Sequence, residues 1–287
     1  MKKIRIIGIV NILNGIVVQS INFKKYLPVG NPSIYIDFLN QWGVDEIAIV
    51  DIKGSNKKSC EIKNELSKYI NRCFVPISAG GGIRNLEDVK KLLGNGADKV
   101  IFNTIAYENF NLLNRAANIY GSQAVILSVD IKIENNKIQI YSNSASKKQK
   151  IKINDLIKKA HNEGVGEIFI NSINKDGSME GYEHKIIEKI NNLTNLPITI
   201  VGGMGKPSHI ADILKYNVSG IGIGNYFNYI ERSVVYTKKY LLKNHLKGIR
   251  KTFYTYTNEN FDEFERVSKK SDKNLEKGYF VPHAILR

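Results

Sequence analysis

Short apolar runs rich in Ile and Val alternate along residues 1–245 with longer stretches whose apolar residues recur every three to four positions. The first pattern predicts strands and the second amphipathic helices, and their alternation predicts βα units on a parallel sheet. Strands are expected at 5–10, 46–51, 75–79, 99–103, 124–130, 167–172, 197–201 and 220–224. Eight strands, each leading into a helix, predict an α/β chain of the (β/α)8 or TIM-barrel class. We assign residues 1–250 to the barrel and 251–287 to a C-terminal extension, packed on the barrel or used to dock a partner.

The helices carry their own punctuation. In NPSIYIDFLNQWG (31–43), Asn31 can cap, Pro32 suits the first helical position and Gly43 suits the end. Tyr35, Phe38, Leu39 and Trp42 then form one expected apolar stripe, which makes Trp42 a core residue rather than a ligand stacker. In NLEDVKKLLGNG, Asn85 is the expected cap, with Leu86, Val89, Leu92 and Leu93 facing inward.

The two halves of the chain resemble each other. VPISAGGGI (75–83) matches LPITIVGGM (196–204), VDEIAIVDIKGS (44–55) matches VGEIFINSINKDGS (165–178), and KVIFNT (99–104) matches GIGIGN (220–225). Two fused half-barrels account for this repeat and predict two equivalent ligand sites.

Those sites are written in glycine. Ala79-Gly80-Gly81-Gly82-Ile83-Arg84 and Val201-Gly202-Gly203-Met204-Gly205 each follow a strand and precede a helix. Glycine lets backbone N–H groups approach an anion without a Cβ in the way, and a helix N-terminus adds a favourable dipole. Polar strand ends follow each loop, Asn103-Thr104 and Gly224-Asn225, so a ligand with two phosphates is expected, with tight turns as the plain alternative.

Composition adds constraints. With 42 basic against 27 acidic residues the formal charge is +15, which suits either a Lys-rich coding bias or attraction to anionic ligands. No Lys/Arg stripe interleaved with aromatics points to nucleic acid. The two cysteines, Cys60 and Cys73, and the five histidines lack metal-ligand spacing, so neither metal nor other cofactor is expected. The histidines (161, 184, 209, 245 and 283) read as surface residues. Arg5 and Asn11 interrupt the apolar start, and no stretch approaches a membrane span, so a cytoplasmic protein is expected.

With these residues in place, the sequence resembles the cyclase subunit of imidazole glycerol phosphate synthase. RIIGIVNILNGIVV, SAGGGIRNLEDVKKLLGNGADKV, SVDIK and NEGVGEIFINSINKDGSMEGY carry the likeness, which spans nearly all of residues 3–250. Gly181-Tyr182 after the DGS motif separates it from the related isomerase barrel, where GPN is usual. The resemblance implies ammonia received from a glutaminase subunit through the barrel. It also implies a bisphosphorylated ribulosyl-formimino carboxamide substrate, cleaved and cyclised to imidazole glycerol phosphate and an aminoimidazole carboxamide ribotide. It implies that Gly82, Asn103 and Thr104 hold one phosphate, and Asp176, Gly177, Gly203, Gly224 and Asn225 the other.

In that family two aspartates, at the ends of strands 1 and 5, act as general acid and base. Here strand 5 keeps Asp130, but the partner position is Asn11. An amide donates and accepts hydrogen bonds but exchanges no proton near neutral pH. Loss of one positioned acid/base group costs about 10²–10⁴ in rate, so the lyase-type cyclisation is expected to be weak or absent. Gln19 replaces the usual loop lysine and Asn174 a common aspartate, while Asp51 and Asp176 are left on the same face as possible proton relays.

The opposite face is intact. Arg5, Glu46, Lys99 and Glu167 begin strands 1, 2, 4 and 6, and read either as a salt-bridge plug or, by resemblance, as the ammonia gate. By the same resemblance Asp98 is a glutaminase contact. Two functional readings follow. The first is an ammonia conduit between a glutaminase and a separate amidotransferase, in a pathway such as amidino-sugar formation for surface glycan. The second is a working cyclase of histidine biosynthesis.

Overall fold

The computed structural model describes residues 3–54, 62–230, 232–244, 248–252 and 261–268. In chain order its first strands are β1 (Arg5–Leu13), β2 (Ile16–Ile21), β3 (Lys25–Gly30), β4 (Glu46–Asp51), β5 (Ile77–Gly80) and β6 (Lys99–Phe102). They continue with β7 (Val125–Glu134), β8 (Lys137–Ser142), β9 (Lys147–Lys148), β10 (Glu167–Ser172), β11 (Ile198–Val201) and β12 (Gly220–Ile223). The first helices are α1 (Pro32–Gln41), α2 (Ile62–Tyr69), α3 (Leu86–Gly94), α4 (Thr104–Glu108) and α5 (Asn111–Tyr120). After them come α6 (Ile153–Asn162), α7 (His184–Asn191), α8 (Ser208–Ile213) and α9 (Ser233–Lys243).

Eight strands pair in parallel in the order β1-β4-β5-β6-β7-β10-β11-β12, and β12 returns to β1, closing a (β/α)8 barrel. Each barrel strand coincides with an expected one to within a few residues. Two antiparallel hairpins were not anticipated: β1 runs into β2–β3, and β7 into β8–β9. Their two-residue turns, Asn14-Gly15 and Asn135-Asn136, have positive φ at both positions (52° and 76°; 48° and 60°). That is the type I′ geometry whose twist matches a right-twisted ribbon. One hairpin in each half, at matching phase, extends the internal repeat.

Side chains alternate across each strand. Ile6, Ile47, Val100, Leu127 and Ile168 point outward into the main core beneath the helices, whereas Ile7, Ala48, Ile101, Ile126 and Phe169 form a separate cluster inside the barrel. The glycines of β12 make room for this filling. A Cβ on Gly220 would lie 2.8 Å from Ile7 Cδ1, and one on Gly222 2.9 Å from Ile9 Cδ1.

Asn31 caps α1, accepting from Ser33 N–H, and Asn85 caps α3, accepting from Asp88 N–H. The α1 stripe differs from expectation. Pro32, Tyr35, Ile36 and Leu39 are buried, while Phe38 is 47% exposed and stacks on half-buried Trp42. Leu39 seats over Gly8, where a Cβ would lie 2.8 Å from Leu39 Cδ1, and this contact rotates the helix toward Ile36. Within the tail, Phe261 meets Tyr240 of α9 edge-on and Glu265 accepts from Ser208 N–H at the start of α8. The other tail aromatics, apart from exposed Phe264, lie outside the described residues, as do His245 and His283. Among the described residues no helix is long and apolar enough to cross a membrane.

Candidate active site

The inward positions stack in layers because residues two apart on a strand share a face. At the strand starts, Arg5, Glu46, Lys99 and Glu167 meet in one closed quartet. Arg5 reaches Glu46 at 2.6 Å and also Glu167, and Lys99 bridges Glu46 and Glu167 at 3.0 and 3.1 Å. Ser78 and Thr199 donate to the same two carboxylates. The cations outweigh burial for Glu167, whose pKa lies below the usual range. Beside the quartet, Asp98 is exposed, and its Oδ2 accepts from Ile77 N–H at 2.7 Å. Above it sits the apolar layer of Ile7, Ala48, Ile101, Ile126 and Phe169, none more than 4% exposed.

Beyond that layer a cavity of about 390 Å³ opens at the C-terminal ends of the strands. It is lined by Asn11, Asp130, Asn171, Asp51 and Asp176, and by both glycine loops. Asp130 is 5% exposed and held from two sides: Asn171 Nδ2 donates to Oδ1 at 2.8 Å and Asn103 Nδ2 to Oδ2 at 3.0 Å. Burial pushes its pKa up to about 6, against the pull of those two amides. Asp176 accepts from Ser20 Oγ at 2.6 Å and Phe23 N–H at 3.1 Å. Its pKa is also pushed up to about 6, first by burial and further by the charge of Asp130. Two carboxyls that sense each other and titrate near neutrality suit proton transfer.

The two glycine loops match in detail. Gly81 and Gly82 have φ of 108° and 65°, Gly202 and Gly203 of 94° and 113°, a region that side chains rarely enter. The strand ends match as well: Asn103 (φ −128°, ψ −90°) precedes α4 as Gly224 (φ −110°, ψ −87°) precedes a single 3₁₀ turn. The side chains differ. Asn103 turns its amide onto Asp130 and Ser128, Thr104 Oγ1 accepts from Asn143 N–H, and Asn225 Nδ2 donates to Ser20 O at 2.7 Å. Hairpin β2–β3 is thereby fastened to the end of β12, with Gly177 of the loop after β10 packed beneath Ser20 and Ile21.

Several residues of the site were not singled out in the sequence. Asn171, Ser20 and Tyr26 reach it, the last two through the β1–β2–β3 hairpin. The Asn14-Gly15 pair was the available signal for that hairpin. Gln19 lies on β2, and Asn174 Oδ1 accepts from Ile133 N–H at 2.9 Å, tying the loop after β10 to β7. His209 departs from the surface expectation. It is half-buried behind the second loop, its Nδ1 accepting from Gly205 N–H, and burial lowers its pKa. Among the described residues no group of three or more His, Cys, Asp or Glu could hold a metal.

The raised carboxyl pKa values carry a consequence for stability. Each group binds its proton more tightly folded than unfolded, so between pH 3.8 and about 6 the native state holds the extra proton. Their contribution is therefore full at the acid end of this window and is lost as pH rises through 6. The Tm change caused by Asp130→Asn should be more favourable at pH 8, where a buried charge is removed, than at pH 3, where the carboxyl is protonated in both the folded and unfolded states. Equal changes at both pH values would contradict this account.

Comparison with known proteins agrees with this geometry. A family model described as "Histidine biosynthesis protein" matches residues 5–232. A Vibrio vulnificus (strain YJ016) protein, provisionally named imidazole glycerol phosphate synthase subunit hisF2, is 34% identical across 91% of this chain and 96% of its own. The imidazole glycerol phosphate synthase subunit HisF of Sulfurisphaera tokodaii is 33% identical across 85% of this chain and 97% of its own. That of Sulfolobus acidocaldarius is 35% identical, across 84% and 96%.

Proposed function

The chain belongs to the histidine biosynthesis protein family, among the HisF-type cyclase subunits of imidazole glycerol phosphate synthase, and from that premise we propose a divergent role for it. In this reading it receives ammonia from a glutaminase subunit and delivers it through the barrel to an acceptor outside histidine synthesis, such as an amidino-sugar precursor of surface glycan. Asn11 carries the reading. It lines the same cavity as Asp130, at the position where the family resemblance implies a second catalytic carboxyl. Asp130 is otherwise ready, buried and held by two amides. The charged quartet and Asp98 supply the glutaminase-facing end, and the glycine loops a phosphorylated ligand at the other.

Ammonia on this route meets two closed layers. The Arg5–Glu46–Lys99–Glu167 ring must open, and then Ile7, Ala48, Ile101, Ile126 and Phe169 must part. An apolar layer of this kind passes neutral NH₃ more readily than NH₄⁺, because desolvating a charge is far more costly. Delivery of the uncharged nucleophile, sheltered from water, follows from that difference.

The alternative is a working cyclase that makes imidazole glycerol phosphate, with Asp130 and Asp176 sharing the proton work. Their shared electrostatics favours it. One assay separates the two: the bisphosphorylated substrate with saturating ammonium and no partner. The conduit reading expects turnover at least about 10²-fold below that of a relative with both carboxylates. Turnover within about tenfold of that relative would establish the cyclase instead.

A further inference from the structure

A second concave site lies outside the barrel mouth. Helix α4, the segment running from β9 toward α6, and α6 itself line an open depression of about 380 Å³. Its floor is apolar, made by Ala106, Phe110, Ile151 and Leu156. Its rim is made by Lys147, Lys148, Lys150 and Lys159, and no carboxylate lines it. Glu134 neutralises Lys148 at 3.0 Å, and the Lys159 ammonium stands 4.7 Å over the Phe110 ring. Lys147 and Lys150 are exposed and meet no carboxylate among the described residues.

Like charges gathered round one depression repel, and a Lys-rich composition alone would scatter them over solvated faces. The wall toward the barrel is Tyr107, whose buried hydroxyl has no partner among the described residues. That hydroxyl lies within range of the Asp130 charge, and Lys147 lines both this cavity and the barrel mouth. The outer cavity thus adjoins the central site at Lys147.

We propose that this cavity is a second anion site, taking a small phosphate monoester with an apolar substituent. The phosphate would sit among Lys147, Lys150 and Lys159, and the substituent on Phe110, Ile151 and Leu156. The floor selects against bare inorganic anions, and the missing carboxylates select against cations. This assignment stands apart from any reading of the barrel mouth.

Para-bromophenyl phosphate tests it on the full chain, by calorimetry and by anomalous diffraction from bromine. The expected result is a bromine peak against Phe110 and Leu156. In addition, Lys150→Glu/Lys159→Glu, both solvent-exposed changes, should weaken binding at that site by about tenfold or more. Bromine confined to the barrel mouth, or a smaller loss in the double variant, would overturn the proposal.

Discussion

Asn11→Asp should raise formation of imidazole glycerol phosphate from the bisphosphorylated substrate and ammonia by about 10²–10⁴-fold, the usual worth of one positioned acid/base group. The site is prepared for it. Position 11 lines the cavity shared with Asp130, on a strand fixed by β4 on one side and β2 on the other. Replacing the amide by a carboxyl changes no volume of consequence, so backbone and neighbours stay in place. The added carboxylate also brings negative charge into the cavity lined by Asp130 and Asp176, which already repel each other. The variant's pH–rate profile should therefore show an acid limb above 6, the wild-type position of Asp130. Unchanged turnover would move the deficit elsewhere, with Gln19 and Asn174 the next positions to revert.

The largest stability effect is expected far from the mouth. Lys238 of α9 is 2% exposed, and its Nζ donates to Asp45 Oδ1 at 2.8 Å and Gly43 O at 2.7 Å. Asp45 Oδ2 in turn accepts from Ile6 N–H at 2.8 Å, so one ion pair ties α9 to β1 and to the turn before β4. Burial lowers the lysine's pKa while Asp45 opposes the shift. Lys238→Met keeps the packed stem but strands the Asp45 charge in the interior. The expected loss is about 3–5 kcal/mol, read from urea unfolding. Lys238→Met/Asp45→Asn should recover part of it, since Asn retains an acceptor for Ile6 without a charge. A loss no greater than that of an exposed lysine would show that the pair contributes little.

Much of the molecule was legible in the chain. The eight barrel strands, the Asn31 and Asn85 caps, the two halves and the matched glycine loops all follow from local rules. A strand turns successive side chains to opposite faces, a helix repeats every 3.6 residues, and glycine enters positive φ without a Cβ clash. Those rules even placed Arg5, Glu46, Lys99 and Glu167 at one end, because each begins a strand with the same inward parity.

What the chain alone could not decide was which side chains meet across the closed barrel. Asp130 finds Asn103 and Asn171 at separations of 27 and 41 residues, and Ser20 finds Asp176 across 156. Those meetings depend on the pairing register of several strands at once. Burial then raised the pKa of Asp130 and Asp176, and seating over Gly8 turned Phe38 outward. The sequence set each residue's direction from its own strand or helix; barrel closure set what lay opposite, and with it the desolvation that makes a carboxyl chemically useful.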